Sequence, residues 1–360
     1  MSYYNIYSKY KNLDFNQLVS ADLPADEAQF LSLLSPKAEN NLEEMAVRAQ
    51  EITLRNFGRT MQLYTPIYLS NYCDNQCLYC GFNAANKIER KKLTLDEVSE
   101  EAEFIAGTGL KHILVLTGDS RSESPLSYIK NSLKILGEYF SSISVEIYAL
   151  SEEEYAELIL NGVDGLTIYQ EVYDENIYKK MHLAGAKKDY LFRLDAPERG
   201  AKAGMHNVNI GALLGLNDWR KEIFFLGLHA KYLQDNYPDL EIGVSLPRIR
   251  PQAGDFSVPY QVTDKNIVQI LVALRIFLPR IGIALSTREN SEFRDNLIPL
   301  GITLISAGSS TYVGGHITKV STNKSVPQFE ISDERDVKEM KQVLERRGYQ
   351  PVLKDWMHFD

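Results

Sequence analysis

Apolar runs of strand length recur along the chain, each followed by a stretch whose apolar positions fall at helical spacing. The strand-like runs are Leu63–Leu69, His112–Gly118, Ser144–Leu150, Gly165–Gln170, Asn207–Leu216, Glu241–Arg248, Ile281–Ser286 and Thr303–Ser306. They are rich in β-branched and aromatic residues and show little alternation of polarity, the pattern of parallel strands covered on both faces. Helix start signals lie between them. Thr94 precedes an apolar-periodic stretch with Glu97 three positions on, and Ser151 does the same with Glu154. Lys187–Lys202, Trp219–Leu233 and Thr263–Phe277 supply three further helical patterns. Strand–helix alternation builds right-handed βαβ units on a parallel sheet. Eight repeats of it predict an α/β fold closed into a (β/α)8 TIM-type barrel, with an open doubly wound sheet as the alternative.

The barrel pattern spans 61–315. Residues 1–60 read as a helical extension, apolar at helical spacing over Asp26–Leu34 and Leu42–Asn56, packed against the barrel's side or bottom. In the tail, 316–360, the polar stretch Thr318–Ser325 reads as a flexible linker and Asp333–Arg346 as a charged final helix.

Hydrophobic residues make up 44% of the 360, enough for one large core or two modest domains. No apolar run approaches the roughly 20 residues of a membrane helix, and the N-terminus lacks the basic start of a secretory signal. A net charge of −9 argues against a broad phosphate-binding surface, so no nucleic acid and no membrane partner is expected.

The chain's three cysteines sit together as Cys73, Cys77 and Cys80 in Asn71-Tyr72-Cys73-Asp74-Asn75-Gln76-Cys77-Leu78-Tyr79-Cys80-Gly81-Phe82. This CxxxCxxC loop offers three thiolates to one centre, whereas a cubane iron–sulfur cluster has four irons to ligate. Withholding one thiolate leaves an iron open to a ligand from outside the protein. Zinc is the competing reading, but a structural zinc site wants four closed ligands. The next histidine along the chain, His112, lies 32 positions beyond Cys80. A disulfide framework would want an even number of cysteines and a small secreted chain. Oxygen-sensitive thiolates without an export signal point to the cytoplasm.

The loop follows the first strand, so it falls at the C-terminal mouth, where a barrel enzyme places its chemistry. Other polar strand ends gather there. Strand two ends in Thr117, Gly118 and Asp119, strand four in Tyr169-Gln170-Glu171, and strand five runs into Gly211-Ala212-Leu213-Leu214-Gly215-Leu216. Strand six ends Pro247-Arg248-Ile249-Arg250-Pro251, two arginines that must be paired or ligand-bound if buried. Strand seven ends in Leu285-Ser286-Thr287-Arg288-Glu289. Two-residue spacing there puts Ser286 and Arg288 on one face, a hydroxyl and a guanidinium suited to an α-carboxylate. Glu289 reads as a solvated cap.

The cysteine loop resembles that of the radical S-adenosylmethionine (SAM) enzymes. The chain as a whole resembles the radical SAM tyrosine lyases of thiazole biosynthesis, the 2-iminoacetate synthases. Carrying the likeness are Tyr68 through Phe82, Leu116-Thr117-Gly118, Val163-Asp164-Gly165, Tyr169-Gln170-Glu171, the Gly211–Leu216 run, Pro247–Pro251, Leu285–Glu289 and Lys354-Asp355-Trp356. The resemblance implies a 4Fe-4S cluster on Cys73, Cys77 and Cys80 whose fourth iron takes SAM, cleaved to methionine and a 5′-deoxyadenosyl radical. SAM contacts would fall to Tyr79, Thr117, Gly118, Asp119, Glu171, Arg193 and Leu213. Ser286, Arg288 and Arg250 would hold the substrate, L-tyrosine, whose Cα–Cβ bond breaks to give 2-iminoacetate (dehydroglycine) and 4-cresol for thiamine synthesis. The barrel's C-terminal half resembles the region associated with biotin and thiamine synthesis. Reduced flavodoxin or ferredoxin would donate electrons, and thiazole synthase would consume the imine. The tyrosine lyase of hydrogenase maturation carries a second cluster toward its C-terminus, for which this chain has no cysteine after Cys80. A tryptophan-cleaving lyase of the same superfamily remains an alternative, as does a non-enzymatic barrel with a structural or redox-sensing metal centre.

Overall fold

The computed structural model describes residues 2–317 and 326–354. The linker expected at Thr318–Ser325, and Asp355 and Trp356 of the closing motif, lie outside the described residues.

Eight parallel strands close a barrel: β1 (Thr60–Ser70), β2 (His112–Thr117), β3 (Ser142–Glu146), β4 (Gly165–Glu171), β5 (Asn207–Ala212), β6 (Glu241–Ser245), β7 (Gly282–Leu285) and β8 (Leu304–Ser306). Each pairs with the next in sequence, and β1 closes the ring by pairing with both β2 and β8. All six residues of β2 are buried, as strands sandwiched between helices require. The helices begin where the capping signals stand. Thr94–Glu97, Ser151–Glu154 and Thr263–Asn266 each form a reciprocal capping box.

Several boundaries differ from the sequence pattern. The third strand ends at Glu146, and the apolar Ile147–Leu150 runs on as a buried connection. Apolar runs alone do not separate a strand from a covered loop. The helix expected over Lys187–Lys202 is three pieces: a 3-10 turn Ala186–Lys188, then Tyr190–Leu194 and Ala196–Ala203. Asp189 caps the second piece, and Pro197 stands in the first turn of the third. The final helix starts at Val337 with Asp336 as its cap. Asp333 is instead drawn into buried ion pairs with Arg294 and Arg335. A short ninth strand, β9 (Gln350–Val352), went unpredicted because it is three residues long and contains Pro351. It pairs in parallel with Thr60–Gln62 at the base of β1.

N-terminal helices, Tyr3–Tyr10, Phe15–Val19, Ala25–Leu33 and Leu42–Phe57, cover the barrel's outer layer. Tyr3 is buried with its hydroxyl on the Phe225 carbonyl at 2.7 Å, and Tyr7 donates to the Tyr173 carbonyl. Phe30 stacks on Phe277 at 4.2 Å. No helix among the described residues is long and apolar enough to cross a membrane.

Candidate active site

The cysteine loop leaves the end of β1 and is stitched to the segment following β4. The Gln76 N–H donates to the Ala184 carbonyl, the Leu78 N–H to the Met181 carbonyl, and Cys77 bridges His182 in antiparallel fashion. Asn75 clamps the loop from beneath: its amide donates to Asp119 at 2.7 Å, and its carbonyl oxygen accepts from the Lys187 N–H at 3.0 Å. Gly118 permits this approach. A Cβ there would stand 2.3 Å from the Tyr72 carbonyl oxygen and 3.2 Å from the Cys73 Cβ.

Cys73, Cys77 and Cys80 open onto one cavity at the C-terminal mouth, which Tyr79, Thr117, Gly118, Asp119, Glu171, Arg193, Leu213, Arg250, Ser286 and Arg288 also line. Every site residue expected from the sequence thus faces the same space. Around the thiols the donor chemistry fits a cluster better than a single ion. His182 is the histidine folded against Cys77, but Tyr79 and the Tyr178 carbonyl occupy its two ring nitrogens at 2.7 and 2.8 Å. Among the described residues no three Cys, His, Asp or Glu side chains converge closely enough to hold one metal ion. Burial pushes the Cys77 thiol up to about 12 and raises Cys73 and Cys80 as well. These sulfurs become thiolates when metal charge displaces the proton.

Glu171 ends β4 at a local irregularity of register, with φ of 69°, a left-handed conformation rare for a side chain of this kind. That turn aims its carboxylate at the Lys187 ammonium, 2.6 Å away. Lys187 also lies over the Tyr79 ring at 5.7 Å. Sequence reasoning missed Lys187 because it stood as one more lysine at the start of a helix. Its near-complete burial is set by a chain reversal at Gly185, where a Cβ would meet the Asn75 side chain at 2.1 Å. Arg193 is buried, and its Nε donates to the Tyr169 carbonyl at 2.9 Å.

On the opposite wall, β7 stops at Leu285, so Ser286 and Arg288 reach the cavity from a turn rather than by strand alternation. The Arg288 N–H points to the Ser286 hydroxyl at 3.4 Å, and its guanidinium packs 3.4 Å from the Phe329 ring centre. Burial pulls its pKa below the usual range, and the guanidinium also donates to the Arg248 carbonyl at 3.3 Å. The two arginines after β6 part company. Arg248 is bound by Glu289 and by Asp264, so Glu289 is a buried ion-pair partner and not a solvated cap. Arg250 bonds Ser332 and keeps its buried Nε without a partner among the described residues. Gln328 and Phe329 close the rim: the Tyr68 hydroxyl donates to Gln328 at 2.7 Å, and the Gly81 N–H to the Gln328 carbonyl at 3.1 Å.

A closed parallel barrel with a CxxxCxxC loop opening on its mouth defines the radical SAM class of enzymes, and residues 67–226 match the Radical SAM superfamily model. Residues 245–350 match the Biotin and Thiamin Synthesis associated domain. The chain is 40% identical over 327 residues to the 2-iminoacetate synthase of Escherichia coli, covering 91% of this chain and 86% of the relative. It is 39% identical over 340 residues to the enzyme of the same name from Salmonella typhimurium, covering 94% and 89%. Its fold superposes on the crystal structure of HydG, a maturase of the [FeFe]-hydrogenase, with a TM-score of 0.85 and 32% identity, covering 98% of this chain and 79% of that one. The chain belongs to the 2-iminoacetate synthase family and is a radical SAM lyase, with a 4Fe-4S cluster and SAM as cofactors.

Proposed function

We propose that this enzyme cleaves the Cα–Cβ bond of L-tyrosine to 2-iminoacetate and 4-cresol for thiamine thiazole synthesis. One observation carries the reading: the three cysteines and the Ser286–Arg288 turn line a single cavity at the barrel's C-terminal mouth. When bound there, the cluster and SAM supply the 5′-deoxyadenosyl radical that starts the reaction. Everything else asked of the protein is placement, because a primary carbon radical takes whichever hydrogen lies nearest.

Cys73, Cys77 and Cys80 would hold three irons of the cluster. The Thr117–Asp119 turn, Glu171, Arg193, Tyr79 and Leu213 would hold SAM, with Lys187 fixing Glu171. Arg288, with Ser286 and Arg250, holds the tyrosine carboxylate; a planar guanidinium suits that group better than an ammonium does. Tyr68, Gln328 and Phe329 keep water and stray hydrogen donors out. Family likeness supports reduced flavodoxin or ferredoxin as electron source, thiazole synthase as the consumer of the imine, and the cytoplasm as the location.

The test is anaerobic reconstitution with iron and sulfide, reduction, and addition of SAM with tyrosine or tryptophan. 4-Cresol appearing with 5′-deoxyadenosine is expected from tyrosine. Cleavage of SAM that yields no 4-cresol from tyrosine, or an indole product from tryptophan instead, would overturn the substrate assignment. Arg288→Lys should lower tyrosine turnover by about 100-fold while leaving iron content unchanged. Equal loss of both would remove Arg288 from the carboxylate site.

A further inference from the structure

A carboxylate that neither SAM nor the α-amino-acid end of the substrate has been assigned sits inside the cavity. Glu146 is the last residue of β3 and lines the same space as the cysteines and Arg288. Its carboxylate makes no hydrogen bond or ion pair with any described residue. Carboxylates shielded from bulk water are costly unless a donor satisfies them, so an unpartnered one facing a substrate cavity marks a place where a ligand donor belongs.

Its position says which donor. In an eight-strand ring β3 stands diametrically across from β7, whose following turn carries Ser286 and Arg288. Its depth follows from the layers of inward side chains. Tyr64, Leu114, Tyr169 and Ala284 line both this cavity and a second one of about 770 Å³ at the barrel's other end, so they form the floor between the two. On β3, Ser144 faces the second cavity and Glu146 the first. Glu146 pairs in register with Leu116, one inward layer above Leu114 of the floor. An amino acid gripped by its carboxylate beside β7 has its ammonium on the carbon next to that carboxylate, and hence on the β7 side. Its side chain is the part that can cross to β3.

We infer that Glu146 recognises the phenol hydroxyl of the substrate and is the residue that makes this site select tyrosine over its deoxygenated analogue phenylalanine. The inference rests on the tyrosine reading given above and deepens it. Around the carboxylate, Tyr64, Tyr68, Tyr169, Leu114 and Leu116 wall the cavity and suit an aromatic ring, and the hydroxyl continues that ring's long axis. Burial, helped by Glu171 and opposed by Lys187, Arg193 and Arg288, pushes the Glu146 carboxyl up to about 7, which fits a group lacking donors of its own. Sites built to hydrogen-bond a substrate hydroxyl reject the analogue without it strongly, because their polar group is then left unpaired.

The experiment measures tyrosine and phenylalanine binding and turnover on the reconstituted, SAM-loaded enzyme and on Glu146→Leu and Glu146→Gln. Expected for Glu146→Leu is a 10- to 100-fold loss of tyrosine affinity, on the order of one charge-assisted hydrogen bond, with phenylalanine unchanged or bound better. Glu146→Gln, nearly isosteric and able to accept from the phenol, should fall between. SAM binding and iron content should stay at the parent's level in both. If the variants keep the parent's preference for tyrosine, or lose both amino acids equally, Glu146 is not at the phenol and the inference fails alone. A parent enzyme that cleaves SAM yet neither binds nor cleaves tyrosine would instead sink the tyrosine reading, and this inference with it.

Discussion

Gly118 shows how much of the site depends on a missing side chain. The groups a Cβ would strike belong to the backbone of Tyr72 and to Cys73, at 2.3–3.2 Å, and a fixed backbone cannot swing aside as a flexible side chain would. Gly118→Ala should therefore push the cysteine loop outward. The expected result is loss of most iron and sulfide after reconstitution, with a stability cost of about 1–3 kcal/mol. Full iron loading of this variant would show that the turn does not set the loop's place. At the same scale Lys187 and Glu171 make a pair in which each side chain keeps only about a tenth of its exposure, 11% and 10%. That Cys73, Cys77, Cys80, Ser286 and Arg288 gather at one cavity was legible, because motif spacing and strand-end position announce it. Lys187 and Glu146 were not, since a lysine in a helical pattern and a glutamate within an apolar run carry no such mark.

Among the elements, the first helix, Tyr3–Tyr10, is held by buried polar contacts as well as by apolar ones. The Tyr3 ring stacks on His229 at 4.0 Å, and the Tyr173 hydroxyl meets the His229 Nδ1 at 3.1 Å. Burial lowers the His229 pKa to about 3, against 6.5 for a free imidazole, so the folded protein keeps it neutral. The unfolded chain binds the extra proton between those two values. Stability from this residue is thus complete above pH 6.5 and is lost progressively as pH falls toward 3. His229→Phe should flatten that part of the acid dependence of the unfolding midpoint while retaining the ring stack. An unchanged slope would mean that His229 is not the titrating group. Element type was readable where period and caps agreed, as in the helix capped by Ser151 and Glu154. The broken stretch over Lys187–Lys202 was not, because its start signals lie inside a pattern that looks continuous.

For the whole molecule, the C-terminal segment is tied to the barrel by buried charge. Arg294 is fully buried; it pairs with Asp333 and also donates to the Ser306 carbonyl at the end of β8. Arg335 adds a second bond to Asp333 at 2.6 Å and one to Asp295 at 2.9 Å. Arg294→Ala removes one cation and leaves a carboxylate and a carbonyl short of donors, which should cost about 3–5 kcal/mol in chemical unfolding. A loss below about 1 kcal/mol would show that Arg335 alone satisfies Asp333. Period, capping and the grouping of three cysteines are local properties, so the chain alone determined the strand–helix alternation, the eight-fold count and the chemistry of its first loop. Closure of the ring decided the rest. Burial and mutual distance belong to pairs of residues far apart in sequence, and only the folded barrel sets Glu146 across from Arg288, seats Lys187 on Glu171, and draws Glu289 into an ion pair.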